Sequence, residues 1–179
     1  MNGANGANYP KTVFIIRHGE KPGDPATDNP QDGINLSTRG YERAAALAPY
    51  FIATFGKPDA LFATQASNHS NRPVETITPL AQALQMTIKS DIADGDYGTL
   101  ADEILSDSHY AGKVLLICWH HGNIPALTQS LGGQAPQSPW PGTVFDRVWQ
   151  IDYPAGSGKP SGLPVKNIPQ QLLYGDQSD

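Results

Sequence analysis

The sequence predicts an α/β fold, a three-layer α/β/α sandwich around a mostly parallel central sheet. Three observations carry this. Short β-branched apolar runs alternate with segments of helical period. The runs are apolar throughout, without alternation, as strands covered on both faces are. Neither an internal repeat nor an interior linker divides the 179 residues, a length that suits one domain with a proper core.

The elements follow in order. Met1 to Pro10 is rich in Asn, Gly and Ala and reads as a flexible tail before a single domain over 11–179. It has neither the charged nor the apolar region of a secretory signal. Thr12 to Ile16 is the first strand, and residues 21–36, rich in Pro, Gly, Asp and Asn, form a loop after it. Ser37 is the expected N-cap of a helix whose apolar face is Tyr41, Ala44, Ala45, Ala48, Phe51, Ile52 and Phe55. Gly56 and Pro58 mark its end, and Pro49 is expected to kink it. Ala60 to Ala63 is a second strand, and a helix follows over about 74–84. Lys113 to Trp119 is the strongest strand; a helix near 124–131 and a late strand over 143–151 complete the pattern, before a Gly/Pro/Ser-rich segment at 154–164.

Composition excludes several function classes. A formal charge of −5 disfavours nucleic acid and anionic membranes as partners, so any bound anion needs a local cluster of cations. No apolar run is long enough to span a bilayer. Cys118 is the sole cysteine, which excludes an internal disulfide and fits a reducing, cytoplasmic setting. A cysteine phosphatase needs Cys-x5-Arg, but Ile124 stands six residues after Cys118; Gly-x-Ser-x-Gly is absent as well. Gly156-Ser157-Gly158-Lys159 lacks the earlier glycine of a phosphate loop and runs into Pro160. Cys118, His120 and His121 have no zinc spacing, so neither metal nor cofactor is expected.

Two histidines stand out. His18 lies just past the first strand and His121 just past the strongest one, each followed by a glycine. Ligands of open α/β sheets bind at the carboxyl ends of strands. Strand alternation would turn His120 to the side opposite His121, which makes it structural. Asp94, in the polar Asp94-Gly95-Asp96 turn, is open to a functional or a backbone reading, with Asp96 in reserve.

Arg17-His18-Gly19-Glu20 after an apolar strand resembles the signature of the histidine phosphatase superfamily, which includes the cofactor-dependent phosphoglycerate mutases. Leu36-Ser37-x-x-Gly40 opening an Ala-rich helix, Arg72 with Thr76, Asp94 three residues before Tyr97-Gly98, and His121-Gly122-Asn123 are similar to further segments, over residues 12–131 and in the same order. The resemblance implies a metal-independent phosphatase with His18 as nucleophile. It implies that Arg17, Arg72, His121 and Asn123 bind the phosphoryl group, and that Asp94 is general acid and base beside His18 and His121. Glu20 is expected to pair with Lys21 or an arginine behind the motif. A phosphomonoester, of a small molecule or a protein, is the implied substrate. Phosphoglycerate mutase-like transfer and a non-catalytic phosphate-binding module are the alternatives. The short chain and the lack of a Glu-x-x-Asn continuation favour hydrolysis over the mutase. The sequence leaves substrate and oligomeric state open.

Overall fold

The computed structural model describes residues 8–23, 33–156 and 158–177. Six strands form one sheet in the order β3-β2-β4-β1-β5-β6: β1 (Thr12–Arg17), β2 (Ala60–Ala63), β3 (Ile88–Lys89), β4 (Val114–Trp119), β5 (Arg147–Asp152) and β6 (Val165–Pro169). The first four run parallel, β5 adds antiparallel to the β1 edge, and β6 pairs antiparallel with β5. The helices are α1 (Thr38–Phe55), α2 (Arg72–Leu84), α3 (Tyr97–Ser106) and α4 (Ile124–Ser130).

Side-chain alternation along the central strands builds the two cores. Val13 and Ile15 of β1, with Leu115, Ile117 and Trp119 of β4, pack beneath α3 and α4. Phe14 and Ile16, with Leu116 and Cys118, pack beneath α1 and α2. The predicted α/β/α sandwich is therefore present, and β1 and β4 at its centre are buried on both faces. Among the described residues no helix is long and apolar enough to cross a membrane.

Several boundaries differ from expectation. Ser37 caps α1 as predicted, accepting from the Gly40 amide, but the buried face is Gly40, Arg43, Ala44, Leu47, Ala48 and Phe51. Tyr41, Ala45 and Ile52 are exposed instead. The stripe is rotated because Arg43 is buried among carboxylates that its own helix does not supply. The helix runs through Pro49, which is exposed. The late strand starts at Arg147, not at 143, because the carbonyls of Pro141, Gly142 and Val144 serve a side chain rather than a ladder. Residues 1–7 of the expected tail lie outside the described residues, as do 24–32 of the 21–36 loop. Residues 9 and 10 are held: the Tyr9 carbonyl accepts from the Gly112 amide at 2.8 Å, and Pro10 is buried.

Gly40 explains the Leu-Ser-x-x-Gly segment. A Cβ there would stand 2.3 Å from the carbonyl oxygen of Glu20 and 3.1 Å from its nitrogen. The Ser37 hydroxyl and amide both donate to that Glu20 carbonyl, so helix and motif are locked together. Gly40→Ala is therefore expected to cost about 1–3 kcal/mol of stability, as overpacking does, read as a lowered urea midpoint. An unchanged midpoint would show that the Glu20 backbone yields freely.

Candidate active site

The strand ends of β1 and β4 open into a cavity of about 400 Å³, lined by Arg17, His18, Arg72, Asp94, His120 and His121, with others at its rim. The site is assembled by register. Arg17 pairs with Trp119, so the next residues outward, His18 and His120, become neighbours, and the His18 amide donates to the Trp119 carbonyl. Their rings meet edge to face with centroids 5.0 Å apart. The expectation that His120 points away is thus corrected. β4 ends at Trp119, and a turn begins at His121, so alternation does not carry across this pair. His121 also lines the cavity, but His120 is the residue level with His18. Counting outward from the two strand ends, instead of matching the His-Gly pairs, would have found it.

His18 is 2% exposed. Its Nδ1 lies 2.7 Å from the Gly19 carbonyl oxygen, which can only accept. Nδ1 therefore carries the proton, and Nε2 of the neutral ring keeps its lone pair. Burial lowers the pKa of His18 well below the ordinary histidine value; His120, Arg17 and Arg72 act in the same direction, against the Gly19 bond. Burial, then Arg72, His121 and Arg17, bring His120 down to about 4. At neutral pH both rings are uncharged in the free protein.

Arg17 is held by the segment over 141–145. Its Nη1 donates to the carbonyls of Gly142 at 2.7 Å and Val144 at 2.9 Å, and its Cζ sits 3.6 Å from the Phe145 ring centroid. The indole of Trp140 donates to the same Val144 carbonyl. This carbonyl-and-ring seat has no sequence signature, because the segment lies over 120 positions from Arg17. Arg72, at the first turn of α2, donates through Nη1 to the Gly33 and His69 carbonyls. Thr76, one turn on, donates to the Arg72 carbonyl and accepts from the Gly19 amide, each at 2.8 Å. The two arginine-bearing segments are thereby tied to each other through Thr76.

Asp94 opens a single 3-10 turn before α3. Its Oδ2 accepts from Asn123 Nδ2 at 2.8 Å, whereas Oδ1 is buried with no hydrogen-bond partner among the described residues. Burial raises its pKa above the usual carboxylate value, against the hydrogen bonds of Asn123 and Trp119. Asn123 is a correction. Its side-chain amide serves Asp94, and its backbone amide donates to the His120 carbonyl, so neither donor is turned to the phosphoryl position. Asp96, the reserve residue, is exposed and is not among the cavity's lining residues.

Glu20 pairs with arginines and not with Lys21. Both its oxygens accept from Arg43, at 2.7–3.1 Å, and Arg39 adds a bond at 3.2 Å. Arg43 reaches Asp176 as well, at 2.7 and 2.9 Å. Burial pushes Asp176 up, but bonds from Arg43 and the Leu173 and Leu172 amides outweigh it and hold the carboxyl below its usual range. A carboxylate depressed by folding adds stability that is fully present above its unfolded pKa and is lost as pH falls through the folded value. Asp176→Asn should therefore melt lower at neutral pH, with the gap to the parent closing below about pH 4. A constant gap would contradict this account.

Among the described residues no three His, Cys, Asp or Glu side chains converge as metal ligands. No family model and no curated protein matches the sequence. Solved structures do match. The protein histidine phosphatase SixA in complex with tungstate aligns at a TM-score of 0.58 and 14% identity, over 87% of this chain and 94% of that one. A mycobacterial glucosyl-3-phosphoglycerate phosphatase gives 0.58 and 14%, over 88% and 96%. The phosphoglycerate mutase of Bacillus anthracis gives 0.54 and 14%, over 92% and 94%. The strand order, the motif at the end of β1 and these likenesses agree: the chain has the histidine phosphatase fold.

Proposed function

We propose that this protein is a phosphomonoester hydrolase working through a phosphohistidine at His18. The observation that carries the proposal is the state of that ring: neutral, held by its Nδ1 proton on the Gly19 carbonyl, and buried beside two arginines. Such a ring is a prepared nucleophile at Nε2. Arg17 and Arg72 neutralise the phosphoryl oxygens, as planar guanidinium groups do. His120, level with His18, adds a donor, because a bound dianion offsets the burial and the cationic neighbours that keep its ring uncharged. Asp94, raised towards the protonated form, supplies the proton to the leaving oxygen.

In the first step the Nε2 lone pair attacks phosphorus, the ester P–O bond breaks, and the alcohol departs with the Asp94 proton. In the second, Asp94 takes a proton from water as the water oxygen bonds to phosphorus, the P–N bond breaks with its electron pair returning to Nε2, and phosphate leaves. One water is consumed, and His18 and Asp94 return to their starting states.

The test is hydrolysis of an aryl phosphate in excess chelator with rapid quenching. The expected result is turnover undiminished by chelator, and a phosphoenzyme labile to acid and stable to base at His18. Turnover lost to chelator and restored by a divalent ion would overturn metal independence. A phosphoenzyme at another residue would overturn the role of His18.

A further inference from the structure

Phe145 is a buried ring outside both cores. It is 6% exposed, yet it belongs neither to the cluster beneath α3 and α4 nor to the one beneath α1 and α2. The ring is spent on the motif instead. Arg17 Cζ stands 3.6 Å from its centroid. At that distance the carbon can only lie over the ring face, because the ring's own edge atoms occupy the in-plane approach. The His18 ring is 6.4 Å away, centroid to centroid, and tilted by 60°, within the range of aromatic pairing. Phe145 does not line the strand-end cavity; it borders a second one, of about 430 Å³, together with Glu20 and Arg43. It therefore reaches Arg17 and His18 from outside the cavity that would hold an ester.

Two independent constraints meet on the Arg17 guanidinium. The N–H bonds of a guanidinium lie in its plane. Donation from Nη1 to the Gly142 and Val144 carbonyls thus fixes rotation within that plane, and the Phe145 face fixes its tilt. The seat is also referenced to the strand that carries Arg17. Trp140, whose indole donates to the Val144 carbonyl at 2.8 Å, packs on Trp149 with centroids 4.6 Å apart. Trp149 pairs in register with Ile15, two residues before Arg17. Arg17, Val144, Trp140, Trp149 and β1 thus close a circuit of short contacts. Carbonyls and a ring face act through partial charges, so they place a cation without cancelling the charge that a phosphoryl group needs.

Resting on the phosphatase reading, we propose that Phe145 is a positioning residue, which holds the Arg17 guanidinium in place for the phosphoryl group. Without the ring face Arg17 populates other conformers, and apparent affinity falls with the fraction that stays in place. A cation–π contact sets that fall at about three- to thirty-fold. The experiment measures the Kd of inorganic phosphate and kcat/KM for phenyl phosphate, with melting temperatures to show that each protein is folded. The proteins are the parent, Phe145→Leu, Phe145→Tyr, Arg17→Met and the double variant Arg17→Met/Phe145→Leu. Leucine removes the ring face and stays apolar, with Phe145→Met as a second ring-free variant; tyrosine keeps the face. Phe145→Leu should weaken phosphate binding and lower kcat/KM by about three- to thirty-fold, and Phe145→Tyr should stay within about twofold of the parent. In the Arg17→Met background the leucine substitution should change neither quantity by more than about twofold, because no guanidinium is left to place. Equal losses in both backgrounds would make Phe145 a packing residue and overturn the inference. So would parent-like values in Phe145→Leu, or a loss in Phe145→Tyr as large as in Phe145→Leu. A parent that binds phosphate but releases none from phenyl phosphate would overturn the phosphatase reading alone, and the binding measurements would still decide the role of Phe145. A parent that binds no phosphate would overturn both.

Discussion

His18→Ala is expected to lower phosphate release from an aryl phosphate by at least about 10³-fold, because removal of a nucleophile leaves only binding and electrostatic assistance. The size of the effect follows from the site's construction. Nε2 of His18 is the atom proposed as nucleophile, and its neighbour His120 meets the same ring edge to face. Cys118 is buried beneath the sheet surface and its thiol is pushed far above the ordinary range by that burial, so it offers no thiolate in reserve. The variant leaves a small void, since the ring is buried. Thermal melting should therefore accompany the kinetics, to separate a lost nucleophile from a lost fold. A folded His18→Ala protein that retains turnover within tenfold of the parent would end the phosphohistidine mechanism.

Asp94→Asn should show a loss that depends on the leaving group. On alkyl phosphates the loss should reach about 10²–10⁴-fold, the usual contribution of a positioned general acid. On an activated aryl phosphate, whose oxygen departs without a proton, it should be much smaller. Asparagine keeps the size of the side chain, and its carbonyl oxygen can still accept from the Asn123 amide that now serves Oδ2 at 2.8 Å. What it removes is the ionisable carboxyl group. Equal losses on both substrates would assign Asp94 a structural role in the turn before α3. No loss on either would move the acid to another lining residue, with His121 the first to test.

Much of this architecture could be read from the sequence, and what could not has identifiable physical causes. The central strands were legible because β1 and β4 are buried on both faces and so are apolar without interruption. The cap of α1 was legible because Ser37 and Gly40 interact three positions apart. The rotation of α1 was not, because Arg43 is buried by Asp176, 133 positions away. The same holds for the seat of Arg17 on residues 141–145. β6 escaped notice because it is an edge strand carrying Lys166 and Asn167, with exposure along most of its length. His120 was misread for a different reason. Alternation is a rule for residues within a strand, and it was extended one residue past the end. The sequence motif located the site, but the pairing of strand ends decides which histidine stands beside His18.

The Glu20–Arg43–Asp176 bridge has a consequence for slow motions. Asp176 accepts the Leu172 and Leu173 amides, and the next residue, Gln177, donates its amide to Asp146 in the segment beside the Arg17 seat. The Leu172 and Leu173 amides are therefore held by the carboxylate that Arg43 grips, and are expected to open with it. Their hydrogen exchange should proceed at a common rate that quickens in acid conditions relative to the sheet amides. Because Arg43 grips Glu20, two places after His18, as well, that rate measures how often the Glu20–Arg43–Asp176 bridge opens, with no substrate present.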